Sequence, residues 1–293
     1  MTLFVELVSI LVPVFLTALI GFVWAKRKLP FDHAFVTRIV SYLGTPCLVF
    51  YALSQAEVEA ASLGAVAGGM ALCVLAFNAI GYVGLKLLGL PIRVHLPSLT
   101  TPNTGNMGLP VALFAFGPEG LAYAIAIMAA LILVSFTLNI WIASGRASPM
   151  ESLKQPMIWA AILGGVVLVA DIDTPRWLDN TTNLIGGLSI PLMLLALGSS
   201  MADLKVEHIK RSLGLGAWRI AMGFGVSWLV VGWLQLEGAA AGILILQASM
   251  PVAVFAFLFA QLYDQRPAEV AGTIVMSTLI SVVTLPLILL FVL

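Results

Sequence analysis

Long apolar runs of about twenty residues follow one another from one end of this chain to the other. Of its 293 residues, 61% are apolar and only 10% are charged, and the mean hydropathy is +1.07. A soluble domain carries about 25% charged residues, whereas a helix that crosses a bilayer needs about 20 apolar residues. The composition therefore predicts an all-α polytopic membrane protein that lies in a lipid bilayer. Lys plus Arg and Asp plus Glu both total 14, so there is no basic excess that would favour a nucleic-acid partner.

Charged and Pro/Gly clusters divide the chain into ten predicted spans. Thirteen of the fourteen Lys and Arg residues fall on one side of these spans, and only Arg176 falls on the other. The positive-inside rule then places the odd-numbered connections in the cytoplasm and both termini outside. The first run lacks a basic n-region and is too long for a signal peptide, so it is interpreted as a retained span. The ten spans cover residues 3–25, 35–54, 62–89, 96–116, 119–143, 155–171, 182–202, 212–234, 238–263 and 268–293.

Two stretches five spans apart are similar in sequence. Residues 109–116 and 250–257 are identical at six of eight positions. Pro30 and Pro46 also recur as Pro175 and Pro191, both 145 residues later. Coincidence among Ala, Val and Phe is the alternative, but prolines in register favour a repeated unit. Since five spans is an odd number, the second unit enters the membrane upside down. The predicted organisation is two inverted five-helix repeats, residues 1–143 and 155–293, joined by a cytoplasmic linker at 144–154.

Spans four and nine each contain an interruption near the middle. Proline is favoured at the start of a helix, so Pro110 and Pro251 are each expected to begin a second half-helix. Gly105 and Gly108 permit dihedral angles that would unwind the chain before Pro110. Unwound backbone at membrane depth is tolerated where it is buried in protein or lines a cavity, and the start of a half-helix favours an anion. Inverted repeats would bring both breaks together, and that crossing is the predicted binding site.

Polar side chains at the two breaks are the candidate ligands of a carboxylate. Satisfying the broken backbone is the alternative role for each of them, and plain packing is the alternative for a second group that would line the cavity. The predicted substrate-binding set is Asn103, Thr104, Asn106, Gly108 and Pro110 of span four with Gln247, Ser249 and Pro251 of span nine. The predicted lining is Thr45, Pro46, Tyr51, Ser189 and Met193, with Gln55, Ser199 and Ser200 as further candidates.

Ionisable residues that could couple transport to an ion are scarce within the spans. No Asp, Glu or His lies at mid-span, so the coupling ion, H⁺ or Na⁺, stays open, and no cofactor or metal site is expected. Glu6 and Arg219 are the deepest charges. Snorkelling to the surface is the favoured interpretation of Arg219, and an interior role at a substrate or a helix C-terminus is the alternative. His33, His95 and His208 are expected to be solvated in cytoplasmic connections.

The segment Pro102-Asn103-Thr104-Gly105-Asn106-Met107-Gly108-Leu109-Pro110 and the segment Leu43-Gly44-Thr45-Pro46-Cys47-Leu48-Val49-Phe50 resemble the auxin efflux carrier family. That family includes bacterial proteins described as malonate permeases and the plant PIN-type auxin carriers. The resemblance implies a scaffold domain of spans 1, 2, 6 and 7, a transport domain of spans 3–5 and 8–10, and crossed helices at spans four and nine. It also implies elevator-type alternating access, a homodimer in a bacterial inner membrane and small organic anions as substrates.

Two features depart from the plant members of that family. The linker between the halves is short. Span three also holds no acid–lysine pair between Ser62 and Leu85, where Asn78 is the one strongly polar residue. Substrate identity is therefore open. A sodium-coupled organic-anion or bile-acid-like symporter is the nearest alternative, and a channel or receptor is a more distant one. An enzyme is not expected, because no nucleophile–base pair or metal-ligand motif lies at depth.

Overall fold

The computed structural model describes residues 3–144, 154–204, 206–262 and 265–293, and in these ranges the chain is built of helices joined by short connections. Two π-helical segments, Val40–Gly44 and Thr104–Gly108, precede α3 and α6. The helices are α1 (Leu3–Lys26), α2 (His33–Ile39), α3 (Thr45–Ser54), α4 (Ala60–Leu87), α5 (Ile92–Thr100), α6 (Leu109–Ser144), α7 (Pro156–Val169), α8 (Arg176–Gly186), α9 (Ser189–Asp203), α10 (Ile209–Leu234), α11 (Gly238–Ala248), α12 (Phe255–Leu262) and α13 (Pro267–Val292).

Seven helical stretches in the described ranges are long and apolar enough to cross a membrane, and α7 and α11 are shorter apolar helices. Large apolar side chains stay exposed on the outer faces of these helices, among them Leu19, Leu163 and Val283. A surface of this kind is suited to lipid and not to water. The predicted class of polytopic all-α membrane protein is therefore confirmed, whereas the count of ten spans and the inverted repeat stay predictions.

One predicted boundary differs from the helices, and another, predicted at residues 117–118, coincides with a kink. Span seven was predicted to begin at residue 182, but α8 already begins at Arg176, because its polar first turn was interpreted as part of a loop. Spans four and five meet inside α6, where Gly117 has a φ of 65° and Pro118 follows. A positive φ favours glycine, so the helix changes direction at this residue without a longer loop. Most of the predicted linker at 144–154 lies outside the described residues.

The helices pack in two sets. In the first set α1 lies along α9, and α3 lies against α7 and α8. A Cβ at Gly198 would collide with the Ala18 carbonyl, so glycine permits the close approach of α9 to α1. In the second set α4 packs against α6 and α10, and α10 packs against α13. The main hydrophobic core runs through both sets and includes Val14, Val49, Phe77 and Leu246.

Candidate functional site

Both predicted interruptions are present, and they contact each other. In the first, α5 ends at Thr100 and helical structure resumes at Thr104; in the second, α11 ends at Ala248 and α12 begins at Phe255. The Asn103 N–H donates to the Pro251 carbonyl at 2.8 Å, and the Ala253 N–H donates to the Thr101 carbonyl at 3.0 Å. Pro102 and Val252 thus form an isolated antiparallel bridge. This pairing, here called the crossing (residues 101–103 and 251–253), satisfies backbone groups that the breaks release.

The local structure of the breaks corrects two expectations. Pro251 does not begin a half-helix: it lies in the extended crossing, and α12 begins four residues later. Pro110 is the second residue of α6 but does not begin the half-helix either, because the helical run already starts at Thr104 in the preceding π-helical segment. Gly105 and Gly108 do not unwind the chain, because they lie inside the π-helical segment, and neither is among the positive-φ glycines of the described residues. The extended residues are instead Thr101–Asn103.

A cavity of about 620 Å³ lies beside the crossing. It extends from Asn103 to His33 and Asp203, whose side chains are 40% and 74% exposed. Met128, Phe255 and other apolar residues form most of the wall between these ends. The cavity therefore has a polar end at the crossing, and an apolar passage joins this end to one face of the protein.

Five predicted residues line this cavity and eight do not. Ser249 faces its own helix, since its Oγ donates to the Ile245 carbonyl at 2.6 Å. Ser200 of the further candidates also lines the cavity, whereas Ser199 contacts His33 and Gln55 contacts Thr174 and Asp179. The lining residues are Asn103, Thr104, Asn106, Thr45 and Met193; the others are Gly108, Pro110, Gln247, Ser249, Pro251, Pro46, Tyr51 and Ser189.

Two buried amides at the crossing have unused hydrogen-bonding groups. Asn103 is 3% exposed, and its Nδ2 has no hydrogen-bond partner in the part of the chain that the structure describes. Gln247 is fully buried against Gly108, and both of its amide atoms lack partners in the same ranges. Buried polar groups are nearly always hydrogen-bonded. Asn103 is also a lining residue of the cavity, which places this unpartnered donor at the wall of the site.

Arg219 and His95 lie deeper than expected. Arg219 does not snorkel: it is fully buried, its Nη1 donates to the Leu99 carbonyl at 3.1 Å, and its Nη2 donates to the Ala248 carbonyl. The alternative role at a helix C-terminus is the one observed. His95 is not solvated but 1% exposed, with its Nε2 3.3 Å from Glu269 Oε2. No pattern in the sequence pairs residues so far apart, so this contact was missed.

Further polar residues line the cavity but were not predicted from the sequence, because none of them lies at either helix break. Ser135 is buried and its Oγ has no partner within the described ranges. No group of three or more His, Cys, Asp or Glu residues that could hold a metal is found in those ranges. The missed polar lining is Thr37, Ser41, Ser135, Gln155 and Gln261, together with His33 and Asp203.

Comparison with known proteins gives a consistent assignment. A family model described as "Membrane transport protein" matches residues 7–148 and 139–289. An uncharacterized transporter of Methanothermobacter thermautotrophicus is 26% identical over 278 residues, which are 87% of this chain and 88% of the relative. An uncharacterized transporter of Methanocaldococcus jannaschii is 22% identical over 198 residues, 63% of each chain. The family match covers nearly the whole chain, and the protein therefore belongs to the membrane transport proteins of the auxin efflux carrier family.

Proposed function

We propose that this protein is a secondary carrier for small organic anions that bear a carboxylate. The observation that carries the proposal is the unpaired Nδ2 of Asn103, which is buried at the polar end of the cavity. A buried donor without a partner in the protein is costly unless a bound molecule accepts its hydrogen bond. A carboxylate oxygen is an acceptor that pairs with such a donor, and the bond is strengthened by charge.

The start of a helix reinforces the preference for an anion. The helical run that leads into α6 begins at Thr104, beside Asn103 and next to the cavity. The first backbone N–H groups of a helix lack intrahelical acceptors, and the helix dipole adds a partial positive charge there. Thr104 and Asn106 add a hydroxyl and an amide to the same end of the cavity. An anion is therefore held by neutral donors; among the described lining residues there is no Lys or Arg.

The rest of the cavity favours a substrate with an apolar body. Leu131, Ile132 and Phe257 lie along the wall between the crossing and the mouth. The volume of about 620 Å³ falls within the range of about 300–1,000 Å³ that is typical of small-molecule sites. We expect a carboxylate at the crossing and the apolar part of the molecule in the passage.

Alternating access would come from an elevator-type movement of one helix set against the other. The polar end of the cavity belongs to the second set, through the interrupted helices, while Thr45 and Met193 come from the first set. These sets correspond to the proposed scaffold and transport domains, within two inverted five-helix repeats and a homodimer. With both termini outside and the protein in the inner membrane, the mouth near His33 and Asp203 faces the cytoplasm.

The test is ligand-dependent stabilisation of the purified protein, measured against a series of mono- and dicarboxylates, with uptake into liposomes as a second readout. Asn103→Ala removes the free donor and should weaken carboxylate binding about tenfold to a hundredfold, the worth of one charge-assisted hydrogen bond. Asn106→Ala should weaken it to a lesser extent.

Asn78→Ala is the matched control, because the Asn78 amide bonds within α4 to the Val74 carbonyl and does not line the cavity. Equal affinity in wild type and Asn103→Ala would show that the site is elsewhere. Saturable and competable uptake supports a carrier, and a conductance far above carrier turnover would indicate a channel.

A further inference from the structure

Arg219 joins the two interrupted helices from a third helix. It lies on α10 and is fully buried. Its guanidinium donates from Nη1 to the Leu99 carbonyl and from Nη2 to the Ala248 carbonyl. These carbonyls lie at the C-terminal ends of α5 and α11. One side chain thus contacts both helix ends at the crossing.

Both carbonyls are available because their ordinary donors are engaged elsewhere. In an uninterrupted α-helix the Leu99 carbonyl would accept from the Asn103 N–H, and the Ala248 carbonyl from the Val252 N–H. Instead the Asn103 N–H donates to the Pro251 carbonyl, and the Val252 N–H donates to the Ser277 Oγ at 3.0 Å. The pairing at the crossing thus frees the Leu99 carbonyl, the contact with α13 frees the Ala248 carbonyl, and Arg219 satisfies both buried acceptors.

The charges balance without a carboxylate. A helix C-terminus carries the equivalent of about −0.5 elementary charge, so two of them offset the single positive charge of a guanidinium. Within the described ranges, no Asp or Glu forms an ion pair with Arg219. The guanidinium also lies over the ring of Phe77, whose centroid is 4.5 Å from Arg219 Cζ, a cation–π contact. A buried charge is costly unless it is compensated, and here the compensation comes from the helix ends.

Close packing holds Arg219 in this position. A Cβ at Gly223, one turn further along α10, would collide with the Ala248 carbonyl. A Cβ at Gly216, one turn earlier, would lie 2.9 Å from the Ser277 N. Glycine on both sides lets α10 approach the crossing closely, so the guanidinium has little freedom to leave. Arg219 is therefore a fixed part of the crossing.

In carriers with discontinuous helices, carbonyls and half-helix C-termini at the break are where a coupling cation such as Na⁺ binds. We propose that Arg219 is a built-in cation that occupies this place, so that transport by this protein needs no bound sodium ion. The proposal rests on the assignment of the protein as an anion carrier. It assigns Arg219 a positioning role, since its side chain acts on the helix ends and not on the substrate.

The experiment compares wild type with Arg219→Ala, Arg219→Met and Arg219→Lys in NaCl and in choline chloride. Thermal unfolding of the purified protein is measured first, and then carboxylate stabilisation and liposome uptake. Wild type should unfold at the same temperature in both salts. Arg219→Ala should unfold about 10 °C lower in choline chloride, the effect of losing one partner of a buried charge interaction, and Na⁺ should restore several degrees.

The other variants separate the charge from the packing. Arg219→Met fills the space with apolar atoms, so it should unfold at a lower temperature than wild type, and Na⁺ should not restore that temperature. Arg219→Lys keeps the charge and should retain most of the stability. Arg93→Met replaces an exposed arginine on α5 and should change neither the unfolding temperature nor its response to Na⁺. A general structural role of Arg219 would lower stability equally in both salts.

Three results would overturn the proposal: sodium-dependent binding or uptake by wild type, an Arg219→Ala variant as stable as wild type, or an Arg219→Ala variant indifferent to Na⁺. If Arg219→Ala does not fold, sodium dependence of wild-type unfolding and carboxylate binding decides the matter, and independence supports the proposal. If wild type binds no carboxylate at all, the carrier assignment fails, while the unfolding measurements still test the role of Arg219.

Discussion

Gly108 and Gln247 come from different interrupted helices and lie in direct contact. A Cβ at Gly108 would collide with Gln247 Oε1 and lie 2.9 Å from its Cδ. Gln247 is fully buried, so its amide would have to shift within the protein interior to make room for that Cβ. The glycine at this position is therefore required by close approach and not by its backbone dihedral angles.

Gly108→Ala should lower the free energy of unfolding by about 1–3 kcal/mol, the usual cost of adding a methyl group to a packed interior. Gly105→Ala is the control, because the nearest atom to a Cβ there is Met128 Sδ at 3.4 Å, an ordinary contact. Thermal unfolding of both variants, with Gln247→Ala and the double variant Gly108→Ala/Gln247→Ala, measures the coupling. If the clash is real, the double variant loses less stability than the two single variants together.

Single residues were predictable where a break in the helical pattern marked them. Asn103 and Thr104 stand in the polar run of span four, and they do line the cavity. Arg219 carried no comparable signal: its depth in span eight was visible, but the two carbonyls that it contacts are defined only by the folded crossing. The buried pair of His95 and Glu269 was missed for the same reason, because its members come from distant helices.

At the level of helices, Glu269 connects three elements at one end of the protein. It lies in the first turn of α13, where the helix dipole favours a carboxylate. Its Oε2 accepts from Arg211 of α10 at 2.9 Å, and its Oε1 accepts from Arg266 at 3.2 Å. His95 of α5 packs on the same carboxylate. Glu269 is 11% exposed, so solvent screens these interactions only in part.

Glu269→Gln should lower the free energy of unfolding by about 1–2 kcal/mol, because it removes the charge that the arginines contact and keeps the shape of the side chain. Glu57→Gln, at an exposed glutamate between α3 and α4, is the matched control and should be close to neutral. The measurement is thermal unfolding at low and at high ionic strength. The interpretation fails if Glu269→Gln shifts the midpoint no more than the control does.

Hydropathy predicted the helices, and the prolines and the polar run of span four predicted where two of them are interrupted. The local structure of each break could not be predicted in this way. Pro251 looked like a helix start by residue preference, yet its carbonyl is engaged by Asn103 and the helix begins at Phe255. Pairing across the crossing outweighs that local preference, because a buried backbone donor without an acceptor costs more than a shift of the helix start. The sequence around Pro251 does not indicate which distant segment will pair with it.

At the scale of the whole molecule, the cavity joins the crossing to the exposed residues His33 and Asp203. Its mouth includes His33 at the start of α2, Gln155 just before α7 and Asp203 at the end of α9. Thr37 is exposed and lines the same passage from α2. The sequence could assign these segments to one face through the distribution of Lys and Arg, but the depth of the passage depends on how the helix sets pack.

Thr37→Cys should therefore react with a membrane-impermeant thiol reagent from the cytoplasmic side, because the passage leads from that face to the crossing. The background carries Cys47→Ala, since Cys47 is only partly buried, and keeps the buried Cys73. Labelling is measured in inside-out and in right-side-out vesicles, with and without a carboxylate that stabilises the purified protein. A bound anion should slow the reaction, and inside-out vesicles should label faster.

The control for orientation is a cysteine at Asp173, in the α7–α8 connection, which should label faster in right-side-out vesicles. Faster labelling of Thr37→Cys in right-side-out vesicles would show that the proposed orientation is inverted or that the carrier rests with its cavity facing outward, and the Asp173 variant tells these apart because orientation alone reverses it.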